Sequence, residues 1–584
     1  MIALVMVAAV VLVAVRLSVS GVRVARTTSD LFVASRSVST WWNAGAISGE
    51  YLSAASFLGI AGLTLKVGAG ALWQAVGFAA GYLALLLFVA APLRRYGSYT
   101  IADFAEARLG SPALRLLSSA VVLVISGFYL VPQLKGAGLA LDELTNLPYW
   151  VGVVVVGAIV PLGVALGGMR GITYVQAFQF WVKLTAIAVP AVLIVIHLGG
   201  LPSGPALFGH SYARAPASGV SLTLTAPTPV RFPAASAYVD VHGAHRAGAG
   251  AHRTLPAGRV RFAAGAVLPA GPGVMAQRGI DWARPVSSSG DSSPLFLYSL
   301  LLATFLGTMG LPHILVRFYT NPDGPAARRT TVSVLSLLGL FYLFPGIYGL
   351  LGRAVTPGLY VTGQTDAVVL QVPRAAWPGL PGELLGGVVA AGAFAAFMST
   401  SSGLLVSIAG TLSYDVWPRL RRTHATGARA RQAQFRIAAP LGIVIPVALA
   451  LVAENLDISL LVGWAFALAA STFCPLFLLG IWWSRLTAPG AIAGIVLGGT
   501  LATTAIFLDL AHIGGSGSIG ALLAQPAVVT VPIAFTTMVA VSLLRPRGLE
   551  GTDSQLLALH APEELGFDVT LRDRNAQVGT AGAG

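Results

Sequence analysis

Long runs of apolar residues recur along the whole of this chain, and they constrain its fold more than any other feature. A helix needs about 20 such residues to cross the hydrocarbon core of a bilayer. Runs of this kind lie at residues 2–20, 44–64, 71–92, 114–134, 149–167, 174–198, 294–314, 331–352, 383–413, 437–453, 458–481, 488–509 and 522–544. They predict an all-α polytopic membrane protein with about 13 transmembrane helices.

The composition and the distribution of charge support this prediction. Only 10% of the residues are charged and the mean hydropathy is +0.78, whereas a soluble domain carries about 25% charged residues. The net charge of +14 comes mainly from arginines in alternate connections between the runs, and Arg317 is assigned to one of them. By the positive-inside rule, we predict a multi-pass protein of the cell membrane, with its N-terminus outside and its C-terminus cytoplasmic. The expected partner is the lipid bilayer and not a nucleic acid.

A polar segment rich in Ala, Gly and Pro interrupts the pattern at residues 199–293 and is predicted to lie outside the cell. Its alternation, as in "VSLTLTAPTPVRF", predicts short strands joined by turns, a small hairpin amid flexible chain. His242, His245 and His252 have no accompanying cysteines or carboxylate constellation, so we interpret them as solvated loop histidines and not as a zinc site.

The sequence lacks the motifs of the commonest membrane enzymes and pumps. No GxxxxGK[ST], HExxH or CxxC pattern is present, and these are the patterns that bind nucleotide phosphates, hold catalytic zinc or form redox pairs. The single cysteine, Cys474, lies in an apolar run. We therefore expect a transporter driven by an existing gradient, with no enzyme activity and no obligate protein partner.

The second apolar run carries polar and small residues at membrane depth. It reads "NAGAISGEYLSAASFLGIAGL" and contains Gly45, Gly49 and Glu50. Glycine lowers the cost of leaving helical geometry, and the free carbonyls of a broken helix are tolerated where they line a cavity. A buried ionisable group such as Glu50 is usually functional. The run predicts a broken helix, although close helix packing through small residues is an alternative.

A second candidate feature is the stretch "AAFMSTSSGLLVSIAG" at residues 395–410. In a helix, residues three, four, seven and eleven positions after a given residue lie on the same face as that residue. Counted from Ala396, these residues are Ser399, Thr400, Gly403 and Ser407. Hard cations prefer oxygen ligands, so this face is suited to a cation. The alternative is that the hydroxyls bond back to carbonyls of their own helix. Lys183, well inside a run, is interpreted either as snorkelling to an interface or as a fixed counter-charge or proton-handling group.

Three stretches resemble the sodium:solute symporter family, and within it the cation/acetate symporter branch. They are "GEYLSAASFLGIAG" at residues 49–62, "GTMGLPHILVRFYT" at 307–320 and "GIWWSRLTAPGAIAGIVLGG" at 480–499. The resemblance covers nearly all of the runs. It implies a LeuT-like five-plus-five inverted-repeat core. The implied division is 1–43 for the first span and loop, 44–198 for the first repeat, 199–293 for the insert, 294–481 for the second repeat, 482–544 for two further spans and 545–584 for a cytoplasmic tail.

The resemblance also implies site residues and a co-transported ion, Na⁺. Its sodium ligands, carried over by position, are Gly49, Leu52, Ala396, Ser399 and Thr400. Gln176 stands where many family members carry an aspartate, which makes it, with Glu50 and Lys183, a candidate for coupling or charge balance. Ser53 and Ser56 are expected to face the substrate.

The function predicted from these features is sodium-coupled import of a short-chain monocarboxylate such as acetate. Three alternatives remain open at this point. One is coupling to protons through Glu50 or Lys183, and another is transport of a different small solute such as proline or a sugar. The third is a transporter-like sensor, for which the tail of about 40 residues is too short to hold a kinase domain.

Overall fold

The computed structural model describes residues 2–22, 39–96, 100–201, 208–286, 294–318, 324–420, 428–513, 517–545, 556–557 and 559–561. Over these residues the protein is mostly helical. The α-helices are α1 Ile2–Val22, α2 Thr40–Tyr51, α3 Ile60–Val67, α4 Leu72–Leu85, α5 Ala91–Tyr96, α6 Ile101–Leu109, α7 Pro112–Thr145, α8 Tyr149–His197, α9 Gly279–Trp282, α10 Pro294–Thr308, α11 Pro312–Phe318, α12 Gly324–Val355, α13 Pro357–Thr362, α14 Val368–Ala376, α15 Leu380–Gly410, α16 Trp417–Leu420, α17 Ala428–Val452, α18 Ile458–Trp482, α19 Ala488–Leu510, α20 Ser518–Ala524 and α21 Ala527–Leu544. Most of the predicted tail, 545–584, and residues 421–427 of the arginine-rich segment 415–436 lie outside the described residues.

The predicted helical, polytopic membrane fold is confirmed outside the insert, but the count of thirteen spans is not. In the described part of the chain, 11 helices are long and apolar enough to cross a bilayer, or 12 if one bent pair is a single span. The N-terminal helix is apolar only over Ile2–Ser18, and this stretch is shorter than a typical span. Two of the eleven, Tyr149–Gly167 and Gly171–His197, lie within α8.

The bent pair is the second predicted span, and it is broken as the sequence indicates. Thr40–Tyr51 and Ala55–Val67 meet at an angle of 68°. Leu52, the residue after α2, leaves helical geometry with φ −76° and ψ 91°. A five-residue π-helix, Ala55–Gly59, precedes α3. The break frees backbone carbonyls in the protein interior, where only protein groups can satisfy them.

A second break separates α10 from α11. Pro294–Thr308 ends in a turn through Met309 and Gly310, and Pro312–Phe318 follows. Pro312 suits the first turn of the second half because it needs no backbone donor there. Both residues of the turn are buried. The protein therefore has two interrupted helices within its core.

α15 is the central helix against which the broken segments pack. It contacts α8, α7, α1 and α2, and its small residues allow those contacts to be close. A methyl group on Gly392 would overlap Ala186 and Phe57, and one on Gly403 would overlap the Glu50 carboxylate. Small residues at helix interfaces give this kind of approach in membrane proteins.

The insert forms a β-domain, larger than the hairpin that its alternation predicts. Its strands are β1 Val220–Leu224, β2 Thr228–Arg231, β3 Ser236–Asp240, β4 Gly243–Ala247, β5 His252–Leu255 and β6 Gly258–Phe262. An antiparallel sheet has the order β1-β6-β3-β4, and β2 pairs with β5. His245 and His252 lie in strands and not in loops, and His245 contacts Asp240 at 2.9 Å. No cluster of three potential metal ligands occurs in the described part of the chain.

Candidate functional site

Three oxygen atoms of the predicted sodium site accept hydrogen bonds from the ammonium group of Lys183, and a fourth, the Ala396 carbonyl, lies beside Ser399 Oγ. Lys183 Nζ donates hydrogen bonds to the carbonyl of Gly49, to the carbonyl of Leu52 at 2.8 Å and to Ser399 Oγ at 2.8 Å. Ser399 Oγ lies 2.7 Å from the Gly49 carbonyl and 3.0 Å from the Ala396 carbonyl. We call these four oxygens the cation cradle. The break after α2 exposes two of them, and the face of α15 supplies the other two.

Lys183 does not snorkel to an interface, because its side chain is fully buried. That interpretation of the sequence is wrong. Lys183 lies on α8, more than 130 residues from the carbonyls that it contacts. The fold thus brings the tip of this side chain to the point where the family resemblance implies a sodium ion.

The four consecutive hydroxyls behave differently from one another. Thr400 Oγ1 donates to the backbone carbonyl of Glu50 at 2.7 Å and so joins α15 to α2. Ser402 Oγ bonds back to Met398 of its own helix at 2.7 Å, as the alternative interpretation of this stretch expects. The buried hydroxyl of Ser401 has no hydrogen-bond partner among the described residues. The cradle therefore uses only Ser399 directly.

Glu50 and Arg317 form a buried ion pair beside the cradle. The Arg317 guanidinium donates to the Glu50 carboxylate, to the side-chain oxygen of Gln176 and, at 2.8 Å, to Thr173 Oγ1. Gln176 in turn donates to the Ser399 carbonyl at 2.7 Å. We call Glu50, Arg317, Gln176 and Thr173 the charged cluster. Through Gln176 it is connected to the same turn of α15 that forms the cradle.

The close approach of these groups requires glycine at two positions. A side-chain carbon at Gly49 would collide with the backbone of Gln176, and one at Gly403 would collide with the carboxylate of Glu50. Both glycines are within regular helices. Their role is to leave room for the charged cluster, which gives the small residues of "NAGAISGEYL" a packing function as well as a conformational one.

The predicted substrate residues face a group of aromatic rings on the other side of the break. Ser53 lies close to the side chain of Tyr129, and Ser56 Oγ lies 3.1 Å from the hydroxyl of Tyr342. Both serines are buried. Further rings of this group include Phe78, which lies 6.2 Å from Tyr342 between ring centroids. The surroundings are apolar with a few convergent hydroxyls, which is typical of small-molecule sites.

His313 lies beside this group and has unused hydrogen-bonding capacity. Its ring is 5.3 Å from that of Tyr129, and its side chain is almost fully buried. Neither ring nitrogen has a hydrogen-bond partner among the described residues. Gln133, one turn from Tyr129, accepts a hydrogen bond from the first backbone N–H after the break, that of Ala54, at 2.8 Å. A buried polar group without a partner is costly, so a ligand hydrogen bond to His313 would be favourable.

A separate cavity of about 410 Å³ opens near the insert and not at the cradle. Lys66, Asp457, Ser459 and Gln525 line part of it, and Lys66 and Asp457 form an ion pair of 2.7 Å. Neither Ser459 Oγ nor the Gln525 amide has a hydrogen-bond partner in the described part of the protein. A methyl group on Gly59 of the broken span would contact Ser459 Oγ, so the cavity wall lies close to the segment that carries Ser56.

Sequence reasoning missed three buried residues, Arg317, His313 and Tyr129. The assignment of Arg317 to an inward connection is wrong, because it lies in α11 and is fully buried. The signal was present in "GTMGLPHILVRFYT", where a histidine and an arginine four residues apart follow a Gly-Leu-Pro break. Side chains with this spacing lie on one face of a helix. Tyr129 has no comparable sequence signal.

The comparison with known proteins identifies the family. The family model described as SSF, the sodium:solute symporter family, matches residues 31–231 and 270–498. The chain belongs to the sodium:solute symporter family. The match leaves out residues 232–269, which are in the β-domain of the insert. The predicted family is therefore confirmed, and part of the insert stands outside the family's common region.

Two bacterial relatives match most of this symporter. The uncharacterized symporter YwcA of Bacillus subtilis is 28% identical over 518 residues, which cover 87% of this chain and 88% of that protein. The monocarboxylic acid transporter of Corynebacterium glutamicum is 29% identical over 527 residues, covering 88% of this chain and 86% of that protein. Both are named as transport proteins, which points to transport and not to catalysis.

Solved structures show the fold. The substrate-bound outward-open state of a Na⁺-coupled sialic acid symporter has a TM-score of 0.66 at 14% identity and covers 94% of this chain and 98% of that chain. Mhp1, a nucleobase-cation-symport-1 family transporter in a closed conformation, has a TM-score of 0.50 at 13% identity, with 90% and 98% covered. The predicted LeuT-like class is confirmed.

Proposed function

We propose that this chain is a cation-coupled symporter that imports a short-chain monocarboxylate such as acetate across the cell membrane. The observation that carries the substrate class is the charge at the buried centre. Lys183, when protonated, and Arg317 are two cations at this centre, and the described ion pairs supply one carboxylate, that of Glu50. A buried net positive charge is unfavourable, and a carboxylate substrate neutralises it.

Other small solutes do not satisfy this charge. A sugar is neutral and proline is zwitterionic, so neither supplies a net negative charge at the centre. The name of the Corynebacterium relative, a monocarboxylic acid transporter, supports the same substrate class. We propose that the substrate lies beside the break, where Ser53, Ser56, Tyr129, Tyr342 and His313 offer hydrogen bonds to its carboxylate.

Sodium is one candidate for the coupling ion. The family and the Na⁺-coupled symporter of similar fold support it, and the ligands predicted from the sequence are Gly49, Leu52, Ala396, Ser399 and Thr400. Coupling to protons is a second candidate, and one observation favours it. Three of these residues, Gly49, Leu52 and Ser399, already accept hydrogen bonds from the ammonium group of Lys183.

Counterflow in proteoliposomes tests the substrate. Liposomes loaded with unlabelled acetate should accumulate labelled acetate, and external propionate or pyruvate should compete while proline and glucose should not. The same liposomes with independently imposed sodium and pH gradients identify the driving ion. Counterflow of proline or glucose without counterflow of acetate would exclude the proposed substrate class.

The proposed orientation, with the N-terminus outside and the C-terminus cytoplasmic, rests on the arginine asymmetry. Impermeant thiol reagents applied to intact cells should label a cysteine placed in the β-domain of the insert. They should spare one placed at residues 421–427, between α16 and α17, and the opposite pattern would reverse the orientation.

A further inference from the structure

The occupant of the cation cradle is a side chain of the protein itself. We propose that the ammonium group of Lys183 is the resident cation of this site, that it excludes sodium from it, and that Lys183 thereby determines the ion specificity of transport. This deepens the proposed function, because it concerns the coupling ion of the same symporter. It does not depend on which solute is carried.

The hydrogen bonds of the ammonium group are complete. A lysine side chain has three N–H donors and no acceptor. The three donors are matched by three acceptors, the carbonyls of Gly49 and Leu52 and the hydroxyl of Ser399. All of these residues are buried. The ammonium group of Lys183 therefore has an acceptor for each of its donors, and its side chain ends at this site.

A sodium ion cannot share this position. Sodium is bound by oxygen atoms at close range, as other hard cations are. Three of the five residues predicted to bind it, Gly49, Leu52 and Ser399, already accept hydrogen bonds from Lys183 Nζ. A second positive charge among them would be repelled strongly, because charges interact more strongly in a buried site than in water. Arg317, in the adjoining charged cluster, adds to this repulsion. The residues that the sequence assigns to sodium are suited to one cation, and Lys183 supplies it.

Shortening Lys183 should convert the cradle into a sodium site. Lys183→Ala removes the ammonium and its stem but leaves the oxygens of Gly49, Leu52, Ala396 and Ser399 in place. Several carbonyl and hydroxyl oxygens would then converge on a vacated position, which only a cation or water can satisfy. Sodium binding should appear as a gain of function, which general damage to the fold would not produce.

The test uses purified full-length protein in detergent, without substrate. Thermal unfolding is measured in NaCl and in choline chloride at equal ionic strength. The wild-type Tm should be the same in both salts, whereas Lys183→Ala should show a sodium-specific rise of about 2 °C or more, as expected when a ligand binds only the folded state. Adding Ser399→Ala to Lys183→Ala should abolish that rise.

Lys135→Ala is the matched control. Lys135 is also a buried lysine, but it pairs with Asp366 at 3.0 Å in another part of the protein. This variant should lose stability without gaining a sodium response. A sodium-specific rise in the wild type, or equal responses of Lys183→Ala and Lys135→Ala, would overturn the proposal.

Sodium binding to the wild-type protein tests the proposal even if Lys183→Ala fails to fold. Wild-type protein is equilibrated with radioactive sodium, with and without excess unlabelled sodium, and should show no displaceable binding at the cradle. Displaceable binding that Ser399→Ala removes would refute the assignment of Lys183 as the resident cation. Because neither assay contains a carboxylate, a wrong substrate assignment would leave both results unchanged.

Discussion

Replacing Arg317 by methionine tests the physical account of the buried charges. The Arg317 side chain is fully buried and bonds with Glu50, Gln176 and Thr173. Methionine has a similar length but no charge, so the Glu50 carboxylate, only 1% exposed, would lose its ion-pair partner. Removing one partner of a buried pair costs about 3–5 kcal/mol. We expect Arg317→Met to lower the free energy of unfolding by that amount.

The double variant separates the loss of the pair from the loss of packing. Glu50→Gln together with Arg317→Met leaves no uncompensated carboxylate at the site. Replacement of both partners of a buried pair by neutral groups is often close to neutral in stability. We therefore expect the double variant to be more stable than Arg317→Met alone, with a coupling energy of at least about 2 kcal/mol, in the range of directly interacting residues.

Thermal unfolding of the purified variants, followed by tryptophan fluorescence, measures these differences. A change of 1 kcal/mol shifts Tm by about 2–4 °C in domains of roughly 150–250 residues and by less in a longer chain, so shifts of a few degrees are expected. If Glu50→Gln lowers the Tm of Arg317→Met by as much as it lowers the Tm of the wild type, the two residues are not coupled and the reasoning is refuted.

Two paired substitutions test the packing of α15 and its hydroxyls by the same measurement. Gly403→Ala should destabilise by about 1–3 kcal/mol because its methyl group overlaps Glu50, whereas Gly127→Ala, which meets no atom within 4 Å, should be neutral or stabilising by up to about 1 kcal/mol. Thr400→Ala should cost about 1 kcal/mol through loss of its bond to the Glu50 carbonyl, and Ser401→Ala should stay within about 0.5 kcal/mol. A larger Tm loss in either control than in its partner would contradict these assignments.

The fold was predictable where local sequence properties determine it. Apolar runs predict membrane helices because the bilayer sets their length, and most of those runs are helices in the structure. The glycines around Glu50 predict the break after Tyr51. The N-terminal helix is different. Its apolar run is close to the minimum length of a span, and hydropathy alone does not decide whether such a run crosses the bilayer.

The cation cradle was predictable only in part. Helical spacing predicts that Ala396 and Ser399 share a face, because spacing is a local property of the chain. It does not predict what occupies the cradle, since Lys183 Nζ meets Ser399 Oγ across 216 residues of sequence. Whether a lysine in an apolar run snorkels or stays buried depends on the helices around it, which spacing along the chain does not specify.

Arg317 marks the limit of charge counting. The positive-inside rule concerns charges in connections near the ends of spans, and an arginine seven residues after the Met-Gly break at 309–310 satisfies that pattern in sequence. Its burial becomes evident only when α11 is placed against Glu50 on α2 and Gln176 on α8. An arginine that is paired inside the protein does not contribute to topology.

The two buried cations together connect the moving parts expected of such a fold. Lys183 joins α8 to the broken span and to α15, and Arg317 joins α11, the second half of the other broken helix, to α2 and α8. Each hydrogen bond to a charged group contributes about 1.5–3 kcal/mol, so displacing either broken helix must break bonds of that strength. The proposed carboxylate substrate would act on the same charges. Coupling between two sites is reciprocal. If a bound anion weakens the hydrogen bonds of Lys183 or Arg317 to these helices, then the anion binds less tightly when those hydrogen bonds are intact. The substrate and the buried cations can therefore influence each other.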